Sequence, residues 1–207
     1  MSAIKVYSHA LTTLDRVKLK LGITVTGFDL LLTSLINSVT DFIEHETNRH
    51  FLQGTYTEIK SVRGANQKFL YVSNPPIVTL TKLEYSAGMP TIKNWMEYPV
   101  TSYETEEDGS SGTIFVYSRI PQGTNKVRIT YTGGYLFDWA NVGDITKHEL
   151  PLGVTELAEN LIVKAFKRRE KVGITSESFN GSNVVFKDEM DAYDKQTLSN
   201  YMFIRFV

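Results

Sequence analysis

Four histidines, one acidic run and one basic run are the residues whose types and spacing could do chemistry. His45 and His50 sit in HETNRH, which resembles the zinc-protease signature with one residue too many. That signature holds zinc between imidazoles four apart on one helix face; five apart, they diverge by about 140°. The segment reads as a capped, solvated helix end, and His9 and His148 have no partner at ligand spacing. Glu104, Glu106, Glu107 and Asp108 form the acidic run. A calcium loop needs alternating oxygen ligands, a central glycine and a distal glutamate, and only fragments of that pattern are present. The run reads as the solvated tip of a hairpin. Lys164, Lys167, Arg168, Arg169 and Lys171 form the basic run. Such a cluster attracts polyanions, but its one neighbouring aromatic, Phe166, belongs to an apolar stripe and offers no stacking platform. The first reading is cations complementing the negative end of a helix dipole; a protein interface comes second and a nucleic-acid contact third.

Other chemistry finds little footing. There is no G-x-S-x-G, no P-loop and no G-x-G-x-x-G. Asn180-Gly181-Ser182 matches a glycosylation sequon and reads as a turn. The chain has no cysteine, hence no disulfide, thiolate metal site or thiol nucleophile. Its formal net charge of −1 points to neither nucleic acid nor membrane. No apolar run is long enough to span a bilayer. The opening residues, MSAIKVYSHALTT, lack the apolar core of a signal peptide. No catalytic residue, cofactor or metal is expected.

The basic run ends a long helix, Leu150 to Gly173, and the rest of the chain can be read around it. Leu157, Leu161, Ile162, Ala165 and Phe166 make an apolar stripe at helical spacing. Pro151 lies just before the start, Thr155 is the expected N-cap and Gly173 the expected left-handed C-cap. Upstream, Thr13 introduces a short helix, LDRVKLKL, closed by Gly22. A second helix is expected to begin after Thr26, with Asp29 three residues later in a box-like arrangement, and to run to about His50, with Phe28, Leu31, Leu32, Leu35, Ile36, Val39, Phe42 and Ile43 on its apolar face. From Gly54 the period changes to that of strands. Residues 57–62 and 68–72 are expected to pair as a hairpin, and EEDGSSG to join another between 102–105 and 113–117. Lys126 to Tyr131 alternate cleanly, with Val127, Ile129 and Tyr131 on one face. The expected fold is α+β. Its helical bundle has two N-terminal helices, one long helix and one last helix over 188–201, with Met190, Tyr193, Thr197, Leu198 and Tyr201 in its stripe. An antiparallel sheet of five to six strands is inserted. The expected divisions are 1–53, 54–135 and 136–207, the first and third forming one helical core. Residues 137–149 read as a loop and Val184 to Phe186 as a short strand.

This order of parts resembles the head–tail connector (adaptor, head-completion) proteins of tailed bacteriophages and prophages. The resemblance rests on TLDRVKLKLGI and DLLLTSLINSVTDFIEHETNRHF with their closing Arg49-His50-Phe51, on VRITYTGGY, on ELPLGVTELAENLIVKAFKRRE, and on GITSESFNGSNVVF. It covers nearly all of the chain. It implies a non-enzymatic protein of the virion neck, assembled in the host cytoplasm, that forms a ring of about twelve copies under the portal. Such a ring extends the DNA channel and offers a platform to a stopper or tail-completion protein. DNA would pass through without sequence-specific binding, and no membrane is involved. The family's C-terminal part commonly engages the portal, which here implies the apolar end with Phe203, Arg205 and Phe206. Opposite charges at 104–108 and 164–171 are expected to help set the ring's register. The alternatives are a tail-completion or stopper protein of the same neck, and a DNA-binding packaging factor.

Overall fold

A computed structural model describes residues 5–64, 66–87, 94–139, 149–172 and 190–202, with helix backbone alone for 169–172. Gly173, Asn180-Gly181, Val184 to Phe186, His148, Phe203, Arg205 and Phe206 lie outside the described residues, as do the side chains of Arg169 and Lys171. The fold is α+β, helices with antiparallel strands inserted between them. Two compact units form it, Met1–Phe51 with Phe137–Val207, and Leu52–Leu136.

The first unit is helical: α1 Leu14–Leu21, α2 Asp29–Thr47, α3 Leu152–Val172 and α4 Ala192–Tyr201. Thr13 caps α1 by accepting from the Arg16 amide at 3.3 Å. Gly22 closes it at φ 69°, a left-handed stop that a residue without Cβ adopts freely. The second helix begins after Thr26, at Asp29; its N-cap is Phe28, and the Thr26 carbonyl receives the Asp29 amide in the turn that precedes it. It ends at Thr47, before His50, because Asn48 takes a left-handed conformation. In α3 the order is reversed: the helix begins at Leu152, directly after Pro151, so Thr155 lies inside it and is buried rather than capping it. The expected stripe of α3 is buried throughout, and Leu32, Leu35, Ile36, Val39, Phe42 and Ile43 of α2 are buried too. Full burial of each Leu, Ile, Val or Phe among them favours folding by about 1.5–3 kcal/mol. The stripe expected of the last helix is wrong at Tyr193, which is 61% exposed. Met190 is buried but precedes the helix, whose N-cap is Asp191; within the helix the expected Thr197 and Leu198 are buried, and Asp194 takes the inward place expected of Tyr193.

Among the described residues the second unit holds seven strands: β1 Gly54–Val62, β2 Phe69–Tyr71, β3 Ile77–Ser86, β4 Trp95–Glu97, β5 Tyr103–Thr105, β6 Thr113–Val116 and β7 Gly123–Gly133. They form two sheets rather than one, in the orders β1-β7-β3-β4 and β2-β6-β5. The expected pairing of 57–62 with 68–72 does not occur. β1 runs antiparallel to β7, from Gly54 opposite Gly133 to Lys60 opposite Val127, and β2 pairs with β6. The reason is burial. β7 is central and buries Val127, Ile129 and Tyr131, and a long alternating partner such as β1 covers it better than the three residues of β2. The β5–β6 hairpin around EEDGSSG forms as expected, with Thr105 opposite Ile114. Leu70, Ile114 and Val116 of the small sheet share one core with Leu83, Val127, Ile129 and Tyr131 of the large one.

Candidate assembly surfaces

The acidic run occupies the turn between β5 and β6. Glu104 is exposed on β5, Glu107 and Asp108 are exposed at the tip, and Glu106 is half-buried. The turn is tight: Glu107 and Asp108 have φ of 50° and 51° and Gly109 of 87°. A Cβ on Gly109 would collide with the Ile77 carbonyl, so this position admits only glycine. The Ser110 hydroxyl donates to the Glu107 carbonyl at 2.8 Å and steadies the loop. A hydrogen bond to Glu104, with the repulsion of its charge, pushes the Tyr117 hydroxyl above its ordinary pKa.

The basic run divides. Lys167 and Arg168 are exposed on α3. Lys164 is turned into the unit: its ammonium lies 2.8 Å from Asp191 Oδ2 and 2.5 Å from Asp194 Oδ2. Burial alone would lower the Lys164 pKa, but the hydrogen bonds and charges of these two carboxylates outweigh it and raise it. Lys164 therefore fastens α4 to α3. Sequence spacing could not reveal this, because the partner Asp194 is 30 residues away.

A second polar clasp orders the N-terminal segment. Glu159 of α3 is 5% exposed and accepts from the Thr12 hydroxyl at 3.1 Å, Arg16 Nε at 2.7 Å and Lys20 Nζ at 3.3 Å. Lys18 pairs with Asp29 at 2.8 Å, bringing the end of α1 to the start of α2. Phe28 then meets Phe166 edge to face at 5.4 Å, which sets the start of α2 beside the basic end of α3. Glu44 gathers the Arg49-His50-Phe51 run: its two oxygens take His50 Nδ1 at 2.8 Å and the Phe51 amide at 3.1 Å. His45 faces Glu46 instead, so HETNRH directs its two imidazoles to different carboxylates.

Sequence reasoning missed the outer face of the small sheet. Phe69 and Tyr71 of β2, with Tyr117 after β6, are 40%, 41% and 52% exposed. Phe115 lies between them, 5.1 Å from both Phe69 and Tyr117. Glu104 stands opposite Phe115. The face is thus an aromatic strip edged with acid. Strands of three and four residues give too short an alternation to betray it.

Inside the large sheet two carboxylates are neutralised within the unit. Glu58 receives Tyr131 Oη at 2.5 Å, both the amide and hydroxyl of Ser73 at 2.9 Å, and the Lys60 ammonium. Burial raises its pKa, but the bonds from Lys60, Tyr131 and Ser73 lower it on balance. The same burial and the Glu58 charge drive Tyr131 upward. Arg128 grips Glu84 with two bonds of 2.6 and 2.5 Å and lies 4.7 Å over the Trp95 ring. The hydrogen bond from Arg128 lowers the Glu84 pKa, against the effect of burial. These are closed structural pairs. Among the described residues no group of three or more His, Asp or Glu could hold a metal ion, and no helix is long and apolar enough to cross a membrane.

Residues 10–192 match the family model described as head completion protein. Among curated proteins none matches the chain. Among solved structures, the fold is similar to a chain in the neck of an empty GTA particle computed with C6 symmetry. The TM-score is 0.59 at 13% identity, over 100% of this chain and 95% of that one. It is also similar to a chain in the virion of the native gene transfer agent particle, with a TM-score of 0.56 at 13% identity, over 93% and 88%. At such identities the likeness is one of fold.

Proposed function

The chain belongs to the head completion protein family and is a structural protein of the phage neck, and from this premise we propose that it assembles as a ring beneath the portal. The ring extends the DNA channel and presents a platform to the next neck or tail protein, a stopper or tail-completion protein. The observation that carries this reading is the family match across residues 10–192. A head-to-tail ring needs two unlike, complementary surfaces on one subunit. The exposed acids of the β5–β6 turn and the exposed Lys167 and Arg168 of α3 are unlike in this sense, and their attraction would set the register between copies. Arg169 and Lys171 belong to the same basic run in the sequence. Lys164, being held by Asp191 and Asp194, contributes to α4 docking rather than to an interface. A ring of about twelve copies suits the portal, and cyclic closure of identical copies is the general solution for such collars. The end of the chain, with Phe203, Arg205 and Phe206, is the proposed portal contact. Assembly takes place in the host cytoplasm and the finished protein resides in the virion. Its work is mechanical, with no catalytic step.

The experiment is capture on immobilised portal from the same particle, comparing the full chain with one ending at Met202. The full chain is expected to be retained and the truncated one lost while its melting curve is unchanged. Equal retention of both would overturn the portal assignment of the tail. Tight, salt-sensitive retention on DNA in place of portal would favour a packaging factor.

A further inference from the structure

Two surfaces among the described residues carry exposed apolar side chains. One is the aromatic strip of the small sheet, Phe69, Phe115 and Tyr117, edged by Glu104. The other is the α1–α2 elbow, where Leu19, Val25 and Leu30 are 84%, 58% and 64% exposed. The Lys18–Asp29 pair closes this elbow, and the Phe28–Phe166 contact sets it beside Lys167 and Arg168 of α3. One surface is therefore aromatic with an acidic edge, and the other aliphatic with a basic edge. Exposed apolar residues rimmed by charge mark protein interfaces.

We propose that the aromatic strip of one copy seats on the α1–α2 elbow of a second copy, with Glu104 and its neighbouring turn facing Lys167 and Arg168. This rests on the ring reading above and names the contact that builds the ring. Charge chooses the pairing. Strip against strip would set Glu104 and the acidic turn against themselves, and elbow against elbow would oppose two basic helix ends; like charges across an interface disfavour association. Only the unlike pairing is attractive in both its apolar and its charged parts. Such a contact repeats around a circle. The apolar centre supplies the affinity and the charged rim the register and encounter rate.

The absence of cysteine makes the test clean, because a Glu104→Cys, Lys167→Cys double variant carries only the two introduced thiols. In the presence of the portal of the same particle, mild oxidation is expected to give a ladder of linked copies on a denaturing gel. Each single variant alone is expected to give none. A Phe115→Ser, Tyr117→Ser variant, with its fold checked by circular dichroism, is expected to assemble at least tenfold less readily by light scattering. If the wild-type chain forms rings, yet no ladder appears and the serine variant assembles as well as wild type, the proposed contact is overturned and the ring reading stands. If the wild-type chain forms no ring with portal present, both fall.

Discussion

The Lys164 ammonium lies 2.5 Å from one carboxylate oxygen of Asp194, a residue with no solvent exposure, and so joins two helices whose paired residues are 30 apart in sequence. The basic surface of α3 begins beyond this pair, at Lys167. A charge reversal at Lys164 would therefore report on folding, and one at Lys167 or Arg168 on association.

Lys164→Ala is expected to destabilise the helical unit by about 3 kcal/mol, because it leaves a buried carboxylate without its cation. Asp191→Ala, which removes an exposed partner and the N-cap of α4, is expected to cost less. Urea unfolding of the two variants checks the order. The Lys164 pKa is raised above 10.5, so the pair's contribution is complete below that pH and fades as pH rises through the folded value. The alkaline limb of stability should be steeper for the wild type than for Lys164→Met.

Glu58 and Glu84 predict the opposite limb. Both carboxyls are held below 4.5, so their stabilisation is present above that pH and is lost as pH falls through the folded values. Glu58→Gln and Glu84→Gln should each flatten the loss of stability as pH falls below 4.5. Parallel acid limbs in wild type and both variants would contradict the assigned pairing.

Glu159→Ala removes the acceptor shared by Thr12, Arg16 and Lys20. Hydrogen bonds to a charged group are each worth about 1.5–3 kcal/mol, but Arg16 and Lys20 are partly exposed and regain water. A net loss of about 2–3 kcal/mol is expected on the same basis. Amide hydrogen exchange should rise first over Leu14–Leu21, the helix that this carboxylate anchors. Uniform acceleration across the unit would mean that Glu159 supports the whole core instead.

Lys167→Glu with Arg168→Glu places negative charge where the proposed contact meets the acidic turn. Folding is expected to be unchanged within about 0.5 kcal/mol, as for most exposed substitutions, while ring assembly is lost. Adding Glu104→Lys and Glu107→Lys to that variant should restore it in part. Salt should weaken wild-type assembly by screening the rim.

The sequence made the long periodic elements legible and left their partners obscure. The stripes of α2 and α3 and the alternation of Val127, Ile129 and Tyr131 came through because each is written in consecutive residues. Strand pairing did not: the turn after Val62 looks like a hairpin, but β1 finds β7 more than 60 residues on, since covering the central strand buries more than closing a local turn. Tyr193 was misplaced because a stripe counted from Met190 ignores the cap at Asp191. Lys164 looked like one cation among five, for its distant partner was invisible. The aromatic strip escaped notice because its residues come from short strands, and their adjacency exists only in the sheet.

The central claim is the ring. Its most direct test is the mass of the purified chain by light scattering over a concentration series, with and without portal, and negative-stain images of the most concentrated samples. Closed rings of about twelve copies, formed alone or on the portal, are the expected result for a collar of identical subunits. A monomer or compact dimer that ignores portal and binds DNA tightly at low salt would contradict it.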